Sequence, residues 1–227
     1  MPDSTLNLLD WHPPAPLSPV TLRGRYVTLE PLEPSHAEPL WNALHAHDEV
    51  WTWLAQGPYG GATAMFDSLD RWRHAENAVV LAIAPEGTAL AAGWASYMRA
   101  QPRHGVVEVG NVVFAPALQR TRAATEAMYL MAAHVFDTLG YRRYEWKCNA
   151  ENLASRRAAE RLGFTFEGIF RQHMVSKGRN RDTAWFSLLD REWLARRQAF
   201  ETWLDPANFD PQGRQRRRLA EIYAAEN

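Results

Sequence analysis

Glu108-Val109-Gly110-Asn111-Val112-Val113-Phe114-Ala115-Pro116-Ala117-Leu118-Gln119-Arg120-Thr121-Arg122-Ala123-Ala124 is the stretch whose reading decides the fold. Its first part extends a β-branched, apolar run from Val106 to Phe114, which reads as a strand. Ala115-Pro116 ends that run, because proline cannot continue the ladder. The period then becomes helical, with Ala124, Met128, Met131, Val135 and Leu139 on one face and Gly140 as the C′ stop. A strand feeding a helix through a short turn leaves unpaired backbone N–H groups at the helix start, a natural seat for an anion such as a diphosphate. Such turns recur throughout α/β proteins, so this pattern alone names no ligand.

Working outward, Val79 to Ile83 and Leu90 to Met98 flank Pro85-Glu86-Gly87-Thr88 and predict an antiparallel hairpin before the decisive strand. After the helix, Tyr144, Trp146 and Cys148 alternate with Arg143, Glu145, Lys147 and Asn149, predicting a half-buried strand of the same sheet. A short helix follows, with Asn152 as N-cap and Gly163 as C′, so that Phe164 packs back on Ala159. Phe166 to Val175 and Thr183 to Leu189 form a hairpin around Lys177-Gly178-Arg179-Asn180. Toward the N-terminus, Thr21 to Leu29 reads as one strand, and Pro34-Ser35-His36 opens a helix carrying Ala37, Leu40, Trp41 and Leu44. From there to about Asn77 the chain reads as irregular or helical and rich in tryptophan. The class is α/β (α+β), with a central mixed, mostly antiparallel sheet flanked by helices.

Residues 1–19 are read as a proline-rich arm, since Pro13, Pro14, Pro16 and Pro19 fix φ and remove donors. Residues 20–195 form the domain. Residues 196–227 continue an amphipathic helix that carries Trp193, Leu194, Phe200 and Leu204, and end in a polar tail with Arg214, Arg216, Arg217 and Arg218.

In a chain of 227 residues, 25 Lys and Arg against 26 Asp and Glu create no global field toward nucleic acid or an anionic membrane. The arginine tail reads as solvated surface, so nucleic acid is not an expected partner. The single cysteine, Cys148, cannot form an internal disulfide and falls on the apolar side of its strand, as a core thiol. No apolar run approaches a membrane span, and no secretory pattern opens the chain, so a cytoplasmic, soluble protein is expected.

The run from Val106 to Leu189 resembles the acyl-CoA-binding core of the GNAT superfamily, specifically its RimJ/RimL-type subgroup. Glu108 to Phe114 looks like the family's central strand, and Leu118-Gln119 through Thr125-Glu126-Ala127 like its phosphate loop and helix. Asn152-Leu153-Ala154-Ser155 with Leu162-Gly163-Phe164 matches the Asn-x-x-Ser to Gly-Phe spacing. Glu167-Gly168, Arg171, Gly178, Asp182, Ser187-Leu188 and Glu192-Trp193 continue the pattern. The resemblance implies the GNAT acyl-CoA N-acyltransferase fold and acetyl-CoA as co-substrate without a metal. It implies direct transfer to a primary amine of a small molecule, an amino-acid derivative or a peptide or protein N-terminus; a homodimer is compatible with it. A catalytically silent acyl-CoA or metabolite sensor on the same fold is the alternative.

Acyl transfer to an amine needs a neutral nucleophile, a polarised thioester carbonyl and a proton donor for the departing thiolate. By resemblance Ser155 is the donor to the CoA sulfur and Glu108 the carboxylate that takes the amine proton. The tyrosine that many GNAT proteins use as acid would fall at Ala159. Serine is also favoured in a first helical turn for local hydrogen bonding alone. The resemblance places the cofactor along Val112, Val113 and Phe114, the loop Gln119, Arg120, Thr121, Arg122, Ala123, Ala124 and Thr125, and Asn149, Asn152 and Ser155. Arg122 stands where the family pattern has glycine. A guanidinium there can give charge-assisted hydrogen bonds to phosphate, each worth about 1.5–3 kcal/mol. For the acceptor, Trp51, Trp53 and Tyr97 are candidates, although aromatics at such spacing are more often core, and His173 is a candidate proton acceptor that reads more readily as a structural histidine. His45-Ala46-His47-Asp48-Glu49 places two histidines at i and i+2, off a common helix face, so no metal site is expected.

Overall fold

Alternating apolar runs separated by glycine and proline turns give a sheet, and the helical-period segments between them cover its two faces. The structure is a computed structural model describing residues 8, 10–76, 78–88 and 90–226. Residues 1–7 and 9 of the expected arm, together with Asn77, Ala89 and Asn227, lie outside the described residues. The strands are β1 (Leu22–Arg23), β2 (Val27–Pro31), β3 (Val79–Pro85), β4 (Gly93–Gln101), β5 (Val106–Phe114), β6 (Arg143–Asn149), β7 (Thr165–Ser176) and β8 (Arg179–Leu189). The helices are α1 (Ala37–Leu44), α2 (Ala62–Arg73), α3 (Arg122–Ala133), α4 (Leu153–Arg161), α5 (Asp190–Leu204) and α6 (Leu219–Glu226).

All eight strands form one sheet in the order β1-β2-β3-β4-β5-β6-β8-β7, antiparallel except for β5 against β6. Leu81, Ile83, Val109, Tyr144, Phe186 and Leu188 face α3 and α5 in the larger core. Val80, Ala82 and Trp94 face the other way, against Leu40, Leu44, Met65 and Leu69 of α1 and α2. Small residues on α3, Ala123, Ala124 and Ala127, let that helix lie close to the strands.

Three expectations change. The single strand over Thr21–Leu29 is a hairpin, because the buried Glu126 carboxylate accepts the backbone N–H groups of Arg25 at 2.9 Å and Tyr26 at 2.6 Å. Gly24 leaves the room for that carboxylate: a Cβ there would overlap it. The strand expected over Leu90–Met98 begins three residues later and runs on to Gln101, with Leu90 59% exposed in the preceding turn. The arginine-rich tail is not simply solvated, since residues 206–218 form a pinned loop and α6 docks through Leu219 and Ile222, 4% and 0% exposed. The boundary drawn at residue 196 falls inside α5.

At both ends of α4 local signals and structure coincide. The Asn152 side chain accepts the Ser155 N–H at 3.0 Å as N-cap of α4. Gly163 takes a left-handed φ of 92° at its far end, and the Phe164 N–H reaches back to the Ala159 carbonyl at 3.0 Å. β7 and β8 close through a tighter turn than expected, with Lys177 and Gly178 both at positive φ, 48° and 72°.

Candidate active site

Strands β5 and β6 pair only from Val106↔Arg143 to Val109↔Trp146 and then separate. A bulge drives the separation: Trp94 pairs with Val113 and Ser96 with Gly110, leaving an extra residue on β5, and Asn111 there adopts φ 49°. Beyond Val109 the edge of β5 that faced β6 is open. The gap is the floor of a cleft of about 1350 Å³. Val112, Val113 and Phe114 line one side, Trp146, Asn152 and Ser155 the other. Gln119, Arg120, Thr121, Arg122, Ala124 and Thr125 form its mouth.

The mouth is the start of α3. Thr121 is its N-cap, accepting the Ala124 N–H at 3.1 Å through its hydroxyl. Among the described residues, the N–H groups of Arg122 and Ala123 have no protein acceptor, as expected for the first turn of a helix. Gln119 points back, its amide donating to the Phe114 carbonyl at 2.9 Å, so its side chain braces the strand end. The loop's positive φ, 61°, falls at Arg120 and not at Arg122. The Arg122 guanidinium instead lies between two rings, 4.8 Å from the centre of Tyr26 and 4.6 Å from that of Phe209. The two rings hold the guanidinium at the cleft mouth.

Ser155 stands at the junction of cleft and sheet. The Trp146 indole N–H donates to its Oγ at 3.0 Å. Indole nitrogen is only a donor, so that bond makes the serine oxygen an acceptor and leaves its own proton for the Cys148 sulfur or for a ligand. Cys148 is close by, its thiol pushed up by burial and pulled weakly the other way by the Ser155 hydroxyl and two arginines. At 6% exposure and with its thiolate disfavoured, Cys148 is a core residue.

Glu108, 3% exposed, lies on the opposite sheet face from α3, inside the last paired turn of the β5–β6 ladder. Arg99 Nη1 donates to both its oxygens at 2.8 and 2.9 Å, and Lys147 Nζ is 2.9 Å from Oε2. Lys147 also reaches Glu145 at 2.8 Å, Arg143 bridges Glu145 and Glu167 at 2.7 and 2.6 Å, and Ser187 donates to Glu167 at 2.7 Å. Both oxygens of Glu108 are therefore engaged by cations. Around it, Trp94 Nε1, Ser96 Oγ, Asn111 Nδ2 and Trp185 Nε1 are buried with no hydrogen-bond partner among the described residues.

The remaining sequence candidates disperse. Ala123 is buried against the sheet and offers only its backbone. Asn149 lies outside the cleft lining, its side chain accepting the Glu151 N–H at 2.9 Å. Tyr97 is a core residue, 1% exposed on the α3 face, its hydroxyl donating to the Met131 carbonyl at 2.8 Å, so it is not part of an acceptor pocket. Trp51 is 3% exposed and packed on Trp94 and Tyr59, with its carbonyl accepting from Lys177 at 2.9 Å; Trp53 is 38% exposed beside it in sequence. His173 Nδ1 lies 2.9 Å from the Thr183 hydroxyl, among the rings of Phe170 and Trp185. His45 and His47 turn to separate partners, the Trp41 carbonyl and Glu49. Sequence reasoning missed Trp146, Arg161 and Phe209 as cleft residues, and Val50 from the turn after α1. Their contribution depends on contacts between distant segments, although the lone tryptophan on the apolar side of β6 was a visible signal.

A mixed sheet opened between two parallel strands, with a cationic helix mouth at one end of the gap, defines an acyl-CoA-dependent N-acyltransferase. The family model for the acetyltransferase (GNAT) domain matches residues 27–165. A GCN5-related N-acetyltransferase from Brucella melitensis superposes with a TM-score of 0.92 at 45% identity, over 95% of this chain and 99% of its own. A GNAT-family acetyltransferase structure from Chromobacterium violaceum gives 0.80 at 39%, over 85% and 98%. YdaF of Bacillus subtilis (strain 168), named as a candidate ribosomal N-acetyltransferase, is 25% identical over 75% of this chain and 94% of its own length. The chain belongs to the GNAT acetyltransferase family.

Proposed function

We propose that this protein transfers the acetyl group of acetyl-CoA directly to a primary amine. One observation carries the reading: the opened edge of β5, the free N–H groups of α3 and the Ser155 hydroxyl line a single cleft. The diphosphate takes the α3 mouth, where unpaired N–H groups and the Arg122 edge supply hydrogen bonds in a partly desolvated site. The pantetheine arm lies in the β5–β6 gap beside Val112, Val113 and Asn152. The thioester then meets Ser155, whose Oγ is fixed by Trp146 and whose proton turns from Cys148 to the CoA sulfur as the thiolate leaves.

The amine enters from the other sheet face, past Trp51, Trp53, Asn111 and the Glu108 cluster, with His173 nearby. The amine nitrogen attacks the thioester carbon, the C–S bond breaks, and the ammonium proton leaves through water toward Glu108. Acceptors in scope are small amines, amino-acid derivatives and peptide or protein N-termini, a ribosomal protein among them by analogy with the name of YdaF. The test is acetyl-CoA-dependent release of free thiol against amino acids, dipeptides, polyamines and ribosomal-protein N-terminal peptides. At least one class should raise the rate and yield the N-acetyl product by mass spectrometry. Binding of acetyl-CoA with no stimulation by any class would make the protein a sensor instead.

A further inference from the structure

The C-terminal segment between α5 and α6 is built, not frayed. Asn208, 9% exposed, donates from Nδ2 to the carbonyls of Trp203 and Arg217 at 3.1 and 3.2 Å. Its side-chain oxygen accepts the Arg217 N–H at 2.9 Å, and its carbonyl accepts the Arg216 N–H at 2.7 Å. The Trp203 indole donates to Gln215 at 2.8 Å, and Phe209 bridges to Gln215 across the turn. Asp210 closes that turn by accepting the N–H groups of Gln212 and Arg214 at 3.0 and 2.9 Å. Fixing a backbone costs about 1–2 kcal/mol per residue, so an ordered polar loop needs bonds of this kind to persist.

The loop is held against the cleft. Phe209, Arg214, Arg216 and Arg218 line it across from the α3 mouth, and Phe209 forms one side of the ring pair around Arg122. The cleft lining thus carries Arg120, Arg122, Arg161, Arg214, Arg216 and Arg218 against one acid, Glu221, in a chain whose net charge is −1. Arg214 pairs with Asp210 at 2.8 Å and Arg218 with Glu221 at 3.8 Å. Among the described residues, Arg216 forms no salt bridge, although its backbone is pinned on both sides of the side chain.

A diphosphate at α3 accounts for the mouth but not for a second cationic wall. CoA carries one more phosphate, a monoester at the ribose 3′ position, spaced from the diphosphate by the sugar. We infer that the loop 206–218 is a 3′-phosphate clamp, with Arg216 the residue that reads the monoester and Arg214 supporting it. The inference rests on the CoA-binding reading above and adds a specificity determinant to it: the protein distinguishes CoA from 3′-dephospho-CoA through its C-terminal loop.

The experiment is calorimetric titration of the full chain with CoA and, separately, 3′-dephospho-CoA, for the native protein, Arg216→Ala and Arg216→Lys. A charge-assisted contact predicts that the native protein prefers CoA by about tenfold or more. Arg216→Ala should lose most of that preference by weakening CoA alone, and Arg216→Lys should keep part of it. The side chain is exposed, so thermal unfolding of the variants should match the native protein. Equal affinity of the native protein for both nucleotides would overturn the clamp, as would an Arg216→Ala variant that weakens both alike or keeps the full preference. Failure of both nucleotides to bind would remove the CoA reading itself and the clamp with it.

Discussion

Trp146 and Ser155 illustrate what a single contact decides. The serine comes from the first turn of α4, where the Asn152 cap fixes its backbone, and the indole comes from β6, which fixes its oxygen. With both ends set, the hydroxyl proton is what remains to be shared between the Cys148 sulfur and a bound ligand. Ser155→Ala should therefore lower kcat on the order of a hundredfold with acetyl-CoA affinity nearly unchanged, since general acid catalysis contributes about 10² or more. Steady-state kinetics beside calorimetry check this; an unchanged kcat would return Ser155 to a capping role. Arg120 carries a different cost, holding a non-glycine residue at φ 61°. Arg120→Gly should raise stability to thermal unfolding by roughly 1 kcal/mol while weakening nucleotide binding, because strain is relieved and a cation at the mouth is lost. A variant that is no more stable than the native chain would show that the loop does not strain that residue.

Elements show which local signals suffice and which do not. The decisive strand was legible to the residue at Val106 and Phe114, because period and proline agree there; Gly140 takes the positive φ expected of a stop, 74°, but the α-helix ends at Ala133 and a π-helical turn, His134–Thr138, follows it. The Asn-x-x-Ser spacing from Asn152 to Ser155 placed the candidate acid in its helix turn. The β1–β2 turn was not legible, since it is made by Glu126, one hundred residues away along the chain from Tyr26. Gly24→Ala would push a methyl group into that carboxylate and should destabilise the protein by about 1–3 kcal/mol in urea unfolding. No loss of stability would mean that the carboxylate does not organise the turn. The bulge at Asn111 and the loop after α5 were hidden for the same reason: pairing with a neighbour creates the first, and Asn208 and Trp203 close the second. Tyr97 stayed open between acceptor and core because alternation along a strand gives two faces without saying which one meets α3.

At the scale of the whole molecule, the sheet carries two systems back to back. One face holds the cleft between the parallel strands; the other holds a chain of alternating charges from Arg99 through Glu108, Lys147, Glu145 and Arg143 to Glu167. The Arg143 guanidinium holds the Glu167 carboxyl below its ordinary range, so the ionised form is favoured in the folded state. Stability from that pairing is complete above the unfolded carboxylate value, about 4.3, and is lost as pH falls through the lower folded value. The gap in thermal stability between the native protein and Glu167→Gln should accordingly be steady from pH 7 to 5 and shrink below about pH 4. A gap independent of pH would show that the charge of Glu167 contributes nothing. The central claim is that the opened β5–β6 gap holds the thioester with its sulfur at Ser155. A crystal structure with a non-hydrolysable acetyl-CoA thioether tests it most directly: the account predicts the diphosphate on the Arg122 and Ala123 N–H groups and the sulfur within about 3.5–4 Å of Ser155 Oγ. Ligand bound elsewhere, or a sulfur pointing away from α4, would contradict it.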